Sequence, residues 1–292
     1  MNLWLGAPPL AGLDIGSTVA QLRNSYLKGL EYCQYTRRPT LNTLVASLLG
    51  RSCSRPDSEA LENLSFINMV VRIAQSMGLH RENIPAGLDP VTHEMHRRIW
   101  WHVVCLDTQY SFRYGSQPCC GTEGYQWDVN MVSESSDEAI SEFQPRFFAS
   151  VPTPNSITTS MFMLFAIGRY ETSRFMHGLL NRVNSCHHFN QADLNLYLDD
   201  LKKLHIKINS LINRMPAQGV PEKGFVPSRL ANASMLAQES LYTDQSDEPS
   251  VFKSWARITL TMLMTSSVLG LQKMFLGHPN LKPEQSEKLW MR

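Results

Sequence analysis

The sequence has no excess of charge of either sign. Its 292 residues hold 27 Lys and Arg against 26 Asp and Glu, a net charge of +1 and an isoelectric point near 7.7. Long-range attraction to a polyanion needs a large positive surplus. The longest basic runs are the doublets Arg37-Arg38, Arg97-Arg98 and Lys202-Lys203. Charge alone therefore disfavours a self-sufficient nucleic-acid binder. Long apolar runs are also missing. The most apolar window lies between Arg257 and Lys273 and is about 15 residues, broken by Thr and Ser, where a membrane span needs roughly 20. That window reads as a buried helix. No Lys or Arg precedes the first apolar stretch, and Pro8, Pro9 and Asp14 interrupt it, which is not a secretory pattern. These absences read as a soluble, intracellular chain.

Paired metal and redox motifs are absent too. The six cysteines, Cys33, Cys53, Cys105, Cys119, Cys120 and Cys186, include no C-x-x-C. Six in a chain of this length make no disulfide scaffold, and no second clamp exists for tetrahedral zinc. They read as reduced, mostly buried thiols. No G-x-S-x-G elbow, phosphate-binding G-x-x-x-x-G-K-[ST] loop or dinucleotide G-x-G-x-x-G occurs. His93-Glu94-Met95-His96 is not H-E-x-x-H. Its three-residue spacing puts two imidazoles on one helical face, where solvated side chains are the plainer reading than a metal site. His187-His188 is weaker still, because neighbouring rings on a helix diverge.

What the chain has is helical periodicity, and strand-like alternation is scarce. The spacing predicts a helix over 17–38 with Val19, Leu22, Tyr26, Leu30 and Cys33 inward, stopped by Pro39. A short helix follows over 40–49, ended by Gly50. Pro56-Asp57-Ser58 opens a helix carrying Leu61, Leu64, Ile67, Val71 and Ala74, closed by Gly78. Asp89-Pro90 is a strong start, since Asp accepts from free N–H groups and Pro suits the first helical position. That helix carries Ile99, Val103, Leu106 and Tyr110. The pattern vanishes from Gly115 to Pro154, and the acidic, Ser-rich 133–142 stretch reads as an exposed loop with at most a short helix. Helices resume over 155–184 and from Asn190, with Asp193 in a capping arrangement, to Pro216. There Leu194, Leu198, Leu201, Ile208, Ile212 and Met215 fit a core-facing stripe better than a coiled-coil seam. Residues 216–227 form a Pro/Gly linker, and 249–277 a final, deeply buried helix. The expectation is an all-α, irregular multi-helix fold, with 1–16 as a flexible N-terminus and 17–292 as a single domain.

Asp107 interrupts an apolar stripe between Leu106 and Tyr110, where a carboxylate is costly unless paired. Arg72, on the preceding helix, is its candidate partner. A general base in a pocket is the functional reading. A buried pair that sets helix register is the favoured one, because no second carboxylate accompanies it.

The stretch Val71 to Arg81, ending Gly78-Leu79-His80-Arg81, resembles the A-x-x-L-G-L-H-R hallmark of the fungal-specific transcription factor domain. Asp89-Pro90, Glu94, Arg97-Arg98, Trp100-Trp101 and Asp107 follow in the family's order and spacing. Gly115-Ser116-Gln117-Pro118 is similar to its G-R-P turn, with Ser-Gln in place of Arg. Met274 to Pro279 resembles its L-L-H-R-P end. The likeness covers roughly residues 20–280 and is most specific over 71–118. It implies an all-helical regulatory domain of zinc-cluster transcription factors, often of secondary-metabolite gene clusters, in which Gly78, Leu79, His80, Arg81, Arg97, Arg98, Trp100, Trp101, Asp107, Gly115 and Pro118 serve packing and no catalysis. It also implies a nuclear protein whose partners are other transcription factors or co-regulators, with a homodimer or a small-molecule effector as further options. The family's zinc cluster needs C-x2-C-x6-C and a similar second half, which this chain lacks. No DNA-binding residue therefore transfers, no direct specific DNA binding is expected from this chain, and zinc is expected only with a separate amino-terminal six-cysteine module. No catalytic, cofactor or metal residue is assigned. A metabolite-sensing domain with a pocket among its aromatic residues, or an interaction-only helical domain, is the alternative.

Overall fold

A computed structural model of the chain describes residues 15–52, 60–82, 89–136, 139–140, 159–185, 191–215 and 251–276. These hold seven helices: α1 (Ile15–Tyr32), α2 (Leu41–Ser52), α3 (Ala60–Ser76), α4 (Pro90–Tyr114), α5 (Met161–Val183), α6 (Gln191–Arg214) and α7 (Val251–Leu276). Among the described residues the β-type pairings are two isolated bridges, Glu123–Trp127 and Ser135–Thr159. The fold is all-α.

The helix α4 is the central element, packed between α3 and α5, and α5 in turn contacts α6 and α7. Its sequence explains the placement. Asp89 caps it, accepting from the N–H groups of Val91 at 2.9 Å and Thr92 at 3.2 Å, with Pro90 in the first turn. From Ile99 to Thr108 nearly every position is buried, including Trp100, Trp101, Val103, Val104, Cys105, Leu106 and Asp107. A helix apolar all round belongs inside a fold. On α6, Leu194, Leu201, Ile208 and Ile212 are buried, as is Met215 just past its end, so that stripe is core and not a coiled-coil seam.

Four expectations need correction. The first helix ends at Tyr32, where Gln34 adopts φ 49° and turns the chain. It docks only through Tyr26 and Leu30, leaving Val19, Leu22 and Cys33 exposed. Gly50 does not end α2 but lies inside it; a Cβ there would collide with the Tyr26 ring, whose hydroxyl donates to the Ser47 carbonyl at 3.3 Å. Leu61 is exposed at the start of α3. The helix α7 is not deeply buried. It buries Ala256, Leu260, Ser267, Gly270 and Leu271 and leaves Trp255, Ile258, Met262 and Leu269 exposed, because hydropathy reports composition and not facing. No described helix is long and apolar enough to cross a membrane. The signals at Pro56-Asp57-Ser58 and Asn190, the pair His187-His188, residues 1–14 and the 216–227 linker lie outside the described residues.

A histidine in the middle of α4 gives the fold a pH dependence. Burial, helped by the Arg169 cation, pulls the His102 pKa down to about 4. The folded state thus holds the neutral ring, while the unfolded chain takes up a proton near 6.5. Stability is complete above about pH 6.5 and falls as pH drops toward about 4, by roughly 2–3 kcal/mol from this group. Burial pulls His80, His96 and His177 in the same direction. Urea midpoints measured across this window should decline, and His102→Gln should flatten the decline.

Candidate functional site

Several of the residues that carried the family resemblance, among them Glu94, Arg98, Trp101 and Asp107, converge on one structure, a strap. After α4, Gly115 adopts φ 68°, which glycine tolerates without strain, and its N–H returns to the Ser111 carbonyl. The chain then runs back along α4 as residues 116–136, fastened at intervals. Asp107 Oδ2 accepts from the Cys120 N–H at 2.8 Å, Trp101 Nε1 donates to the Asn130 carbonyl at 2.8 Å, and Glu94 Oε1 accepts from the Ser133 N–H at 2.8 Å. Arg98 adds a longer bond to the Ser135 carbonyl at 3.4 Å and holds Glu94 Oε1 at 3.1 Å. Four side chains of α4, Glu94, Arg98, Trp101 and Asp107, thus satisfy backbone of an irregular segment, which otherwise could not lie against a core. The far side of the strap is tied to α5 and α6. Asn181 donates to the Gly121 carbonyl at 3.1 Å, Arg174 pairs with Glu123, and Arg214 Nη1 reaches Glu134 at 2.7 Å. Ser133 to Ser136 are therefore part-buried anchors, a correction to the expected exposed loop; residues 137–138 and 141–142 lie outside the description.

The turn after α3 joins the same structure. Gly78, at φ 77°, lets the Leu79 N–H return to the Ala74 carbonyl at 3.1 Å, and Leu79 is buried. Glu82 then accepts from the Asn130 N–H at 3.0 Å and from Arg97 Nε at 3.0 Å. Burial opposes its ionisation, but the hydrogen bonds from Arg97 and Asn130 prevail and hold the carboxyl below its ordinary range. The Asp128 side chain accepts from the Glu82 N–H at 2.9 Å, and the Asp128 N–H returns to the His80 carbonyl at 3.2 Å. Arg81 is exposed and Pro118 buried.

The aromatic residues fill the space beneath. Trp127, from the strap, meets Trp101 edge-on at 5.3 Å and Trp100 at 6.0 Å, and His80 lies 6.0 Å from Trp100. Among the described residues these rings pack closely against one another. A surface cleft of about 440 Å³ lies elsewhere, between Leu27, Leu30, Tyr35 and Arg37 at the end of α1.

Asp107 is not paired with Arg72. That arginine is exposed and donates to Gln75 at 3.1 Å. Beyond the Cys120 N–H, the carboxylate faces His177 Nε2 at 4.0 Å, and burial outweighs Asp107 in lowering the His177 pKa, so the ring is neutral near pH 7. The true partner is a backbone donor from an irregular loop, which no side-chain pattern signals. Sequence reading also missed Glu82, Trp127 and His177. A lone Trp in an otherwise polar, patternless stretch was the one available signal. Burial raises the Cys119 thiol to about 11 and pushes Cys120 well above its ordinary value, so neither is a nucleophile near pH 7. Among the described residues no group of three His, Cys, Asp or Glu could hold a metal.

Glu94, Arg98, Trp101 and Asp107 of this all-helical domain are thus spent on its own architecture. The fungal-specific transcription factor domain matches residues 30–215, and the chain belongs to this family. It is 42% identical to Transcription factor macR of Penicillium terrestre over 96% of this chain, which is 33% of that protein. It is 38% identical to Transcription factor yanR of Aspergillus niger over 80% of this chain and 28% of that protein. Aurofusarin cluster transcription factor aurR2 of Gibberella zeae is 31% identical over 37% of this chain and 15% of its own length. The chain thus spans a third or less of the length of these relatives. No solved structure matches it.

Proposed function

We propose that the chain is the regulatory part of a fungal transcription regulator, that it acts in the nucleus through other transcription factors or co-regulators, and that it neither reads DNA itself nor catalyses a reaction. The observation that carries this reading is the consumption of the family's polar residues by the strap. Glu94, Arg98, Trp101 and Asp107 fasten backbone, Arg97 is held by Glu82, and no convergent acid, base and nucleophile remain among them. The lack of C-x2-C-x6-C spacing and a net charge of +1 support a partner or a separate module as the DNA reader. A role in a secondary-metabolite gene cluster is supported by relatives whose names carry the word cluster, such as aurR2.

Two measurements test the reading. The purified chain should show no sequence-dependent binding to duplex DNA at physiological salt, where non-specific contacts are already screened. Fused to an unrelated DNA-binding module at a reporter promoter, it should shift transcription relative to the module alone. Tight, sequence-dependent duplex binding, or a reporter indifferent to the fusion, would overturn it.

A further inference from the structure

Arg169, on α5, is a cation that the fold leaves without an acceptor oxygen. The other half-buried arginines described each donate to one: Arg51 to Glu62, Arg97 to Glu82, Arg98 to Glu94, Arg182 to Asp193 and Arg257 to the Ile212 carbonyl. Arg169 is half-buried as well. Among the described residues its guanidinium has one hydrogen-bond partner, the Cys105 sulfur at 3.6 Å. A thiol is a weak acceptor and brings no charge. The cation is thus partly withdrawn from water with no counter-charge beside it.

Its surroundings are polar on one side and aromatic on the other. Neither the His102 ring nor the Tyr170 hydroxyl hydrogen-bonds a described residue, and the Arg169 charge acts on both. The guanidinium also lies over the Phe165 ring at 5.8 Å, and Phe165 meets Trp255 at 4.8 Å. Trp255 is 39% exposed, so this aromatic edge reaches the surface.

We infer that Arg169 is the anchor of a binding site for a small monocarboxylate with an apolar body, its carboxylate on the guanidinium and its body against Phe165 and Trp255. The guanidinium fork matches a carboxylate with two parallel hydrogen bonds. Charge selects the ligand. One cation beside a neutral imidazole and a phenol balances a single negative charge and leaves a dianion half-compensated. His102 and Tyr170 add uncharged donors, and the rings offer a surface that an inorganic anion cannot use. Neither Arg169 nor its aromatic neighbours fasten the 116–136 strap. The inference goes beyond the regulatory reading and stands or falls separately from it.

The test is calorimetric titration of the full 292-residue chain with phenylacetate. The dissociation constant should be on the order of millimolar, as suits so small a ligand. Arg169→Gln should weaken binding by roughly tenfold or more, the worth of a charge-assisted pair. Arg169→Lys should weaken it by roughly threefold, because an ammonium keeps the charge and loses the fork. Arg72→Gln, which removes an exposed arginine of α3, should leave binding unchanged. Phenylacetamide has the shape without the charge, and inorganic phosphate the charge without the apolar body. Each should bind roughly tenfold more weakly than phenylacetate or worse. Helical content should match the native chain in every variant; if Arg169→Gln loses helicity, Arg169→Lys carries the test. A chain that does not bind phenylacetate, binds phosphate or phenylacetamide as well, loses as much on Arg72→Gln, or is unaffected by the Arg169 substitution overturns the inference.

Discussion

Trp101→Ala should cost the domain about 4 kcal/mol, enough to leave most natural domains of this size barely folded. The indole is fully buried, edge-on to Trp127 at 5.3 Å, stacked on Tyr170 at 6.1 Å, and under the Arg174 guanidinium at 5.9 Å. Truncation opens a cavity at the centre of α4 and strips the Asn130 carbonyl of its donor. The neighbouring tryptophan supplies the control. Trp100 is equally buried, but its Nε1 has no hydrogen-bond partner among the described residues. Trp101→Phe should therefore cost about 1 kcal/mol more than Trp100→Phe, the worth of one hydrogen bond. Urea titrations of the native chain and these three variants measure both differences.

Asp107→Ala should cost about 3 kcal/mol, since it leaves the buried Cys120 N–H without an acceptor and removes a charge-assisted bond. Asp107→Asn should cost about 1 kcal/mol, because the amide oxygen can still accept. A general base would behave in reverse, with the isosteric Asn abolishing activity and leaving stability intact. The Asp107 and Trp101 variants should also be non-additive. Both release the same strap, so the double variant should fall short of the sum by about 1 kcal/mol.

How much of this was legible depended on whether the cause was local. Asp89-Pro90 announces the start of α4, because a cap is satisfied within three residues. The stripe from Leu194 to Met215 marks the buried face of α6, since helical period alone sets it. The hallmark residues could be recognised in order, and their structural character was already suggested by a solitary Asp107. Their partners were not legible. Asp107 meets an N–H 13 positions on, Glu94 one 39 positions on, and Glu82 one 48 positions on. Backbone amides carry no residue-type signature, so the sequence offers only a side chain, Arg72, as a partner for Asp107. Helix facing failed where neighbours decide it. Ile258 and Met262 read as core from composition, and only the position of α5 and α6 leaves them outside. Gly50 read as a terminator because glycine often is one, while here it makes room for Tyr26.

The central claim is that Glu94, Trp101 and Asp107 hold the 116–136 strap on α4. Amide hydrogen exchange on the native chain tests it most directly. The N–H groups of Cys120, Asn130 and Ser133 belong to an irregular segment, yet all three are bonded to carboxylates. They should exchange as slowly as the core amides of α4 and open together with them, since loops fastened to a core share its stability. Asp107→Ala should speed Cys120 first. Exchange of these three amides at the rate of an unattached loop, while α4 stays protected, would contradict the account.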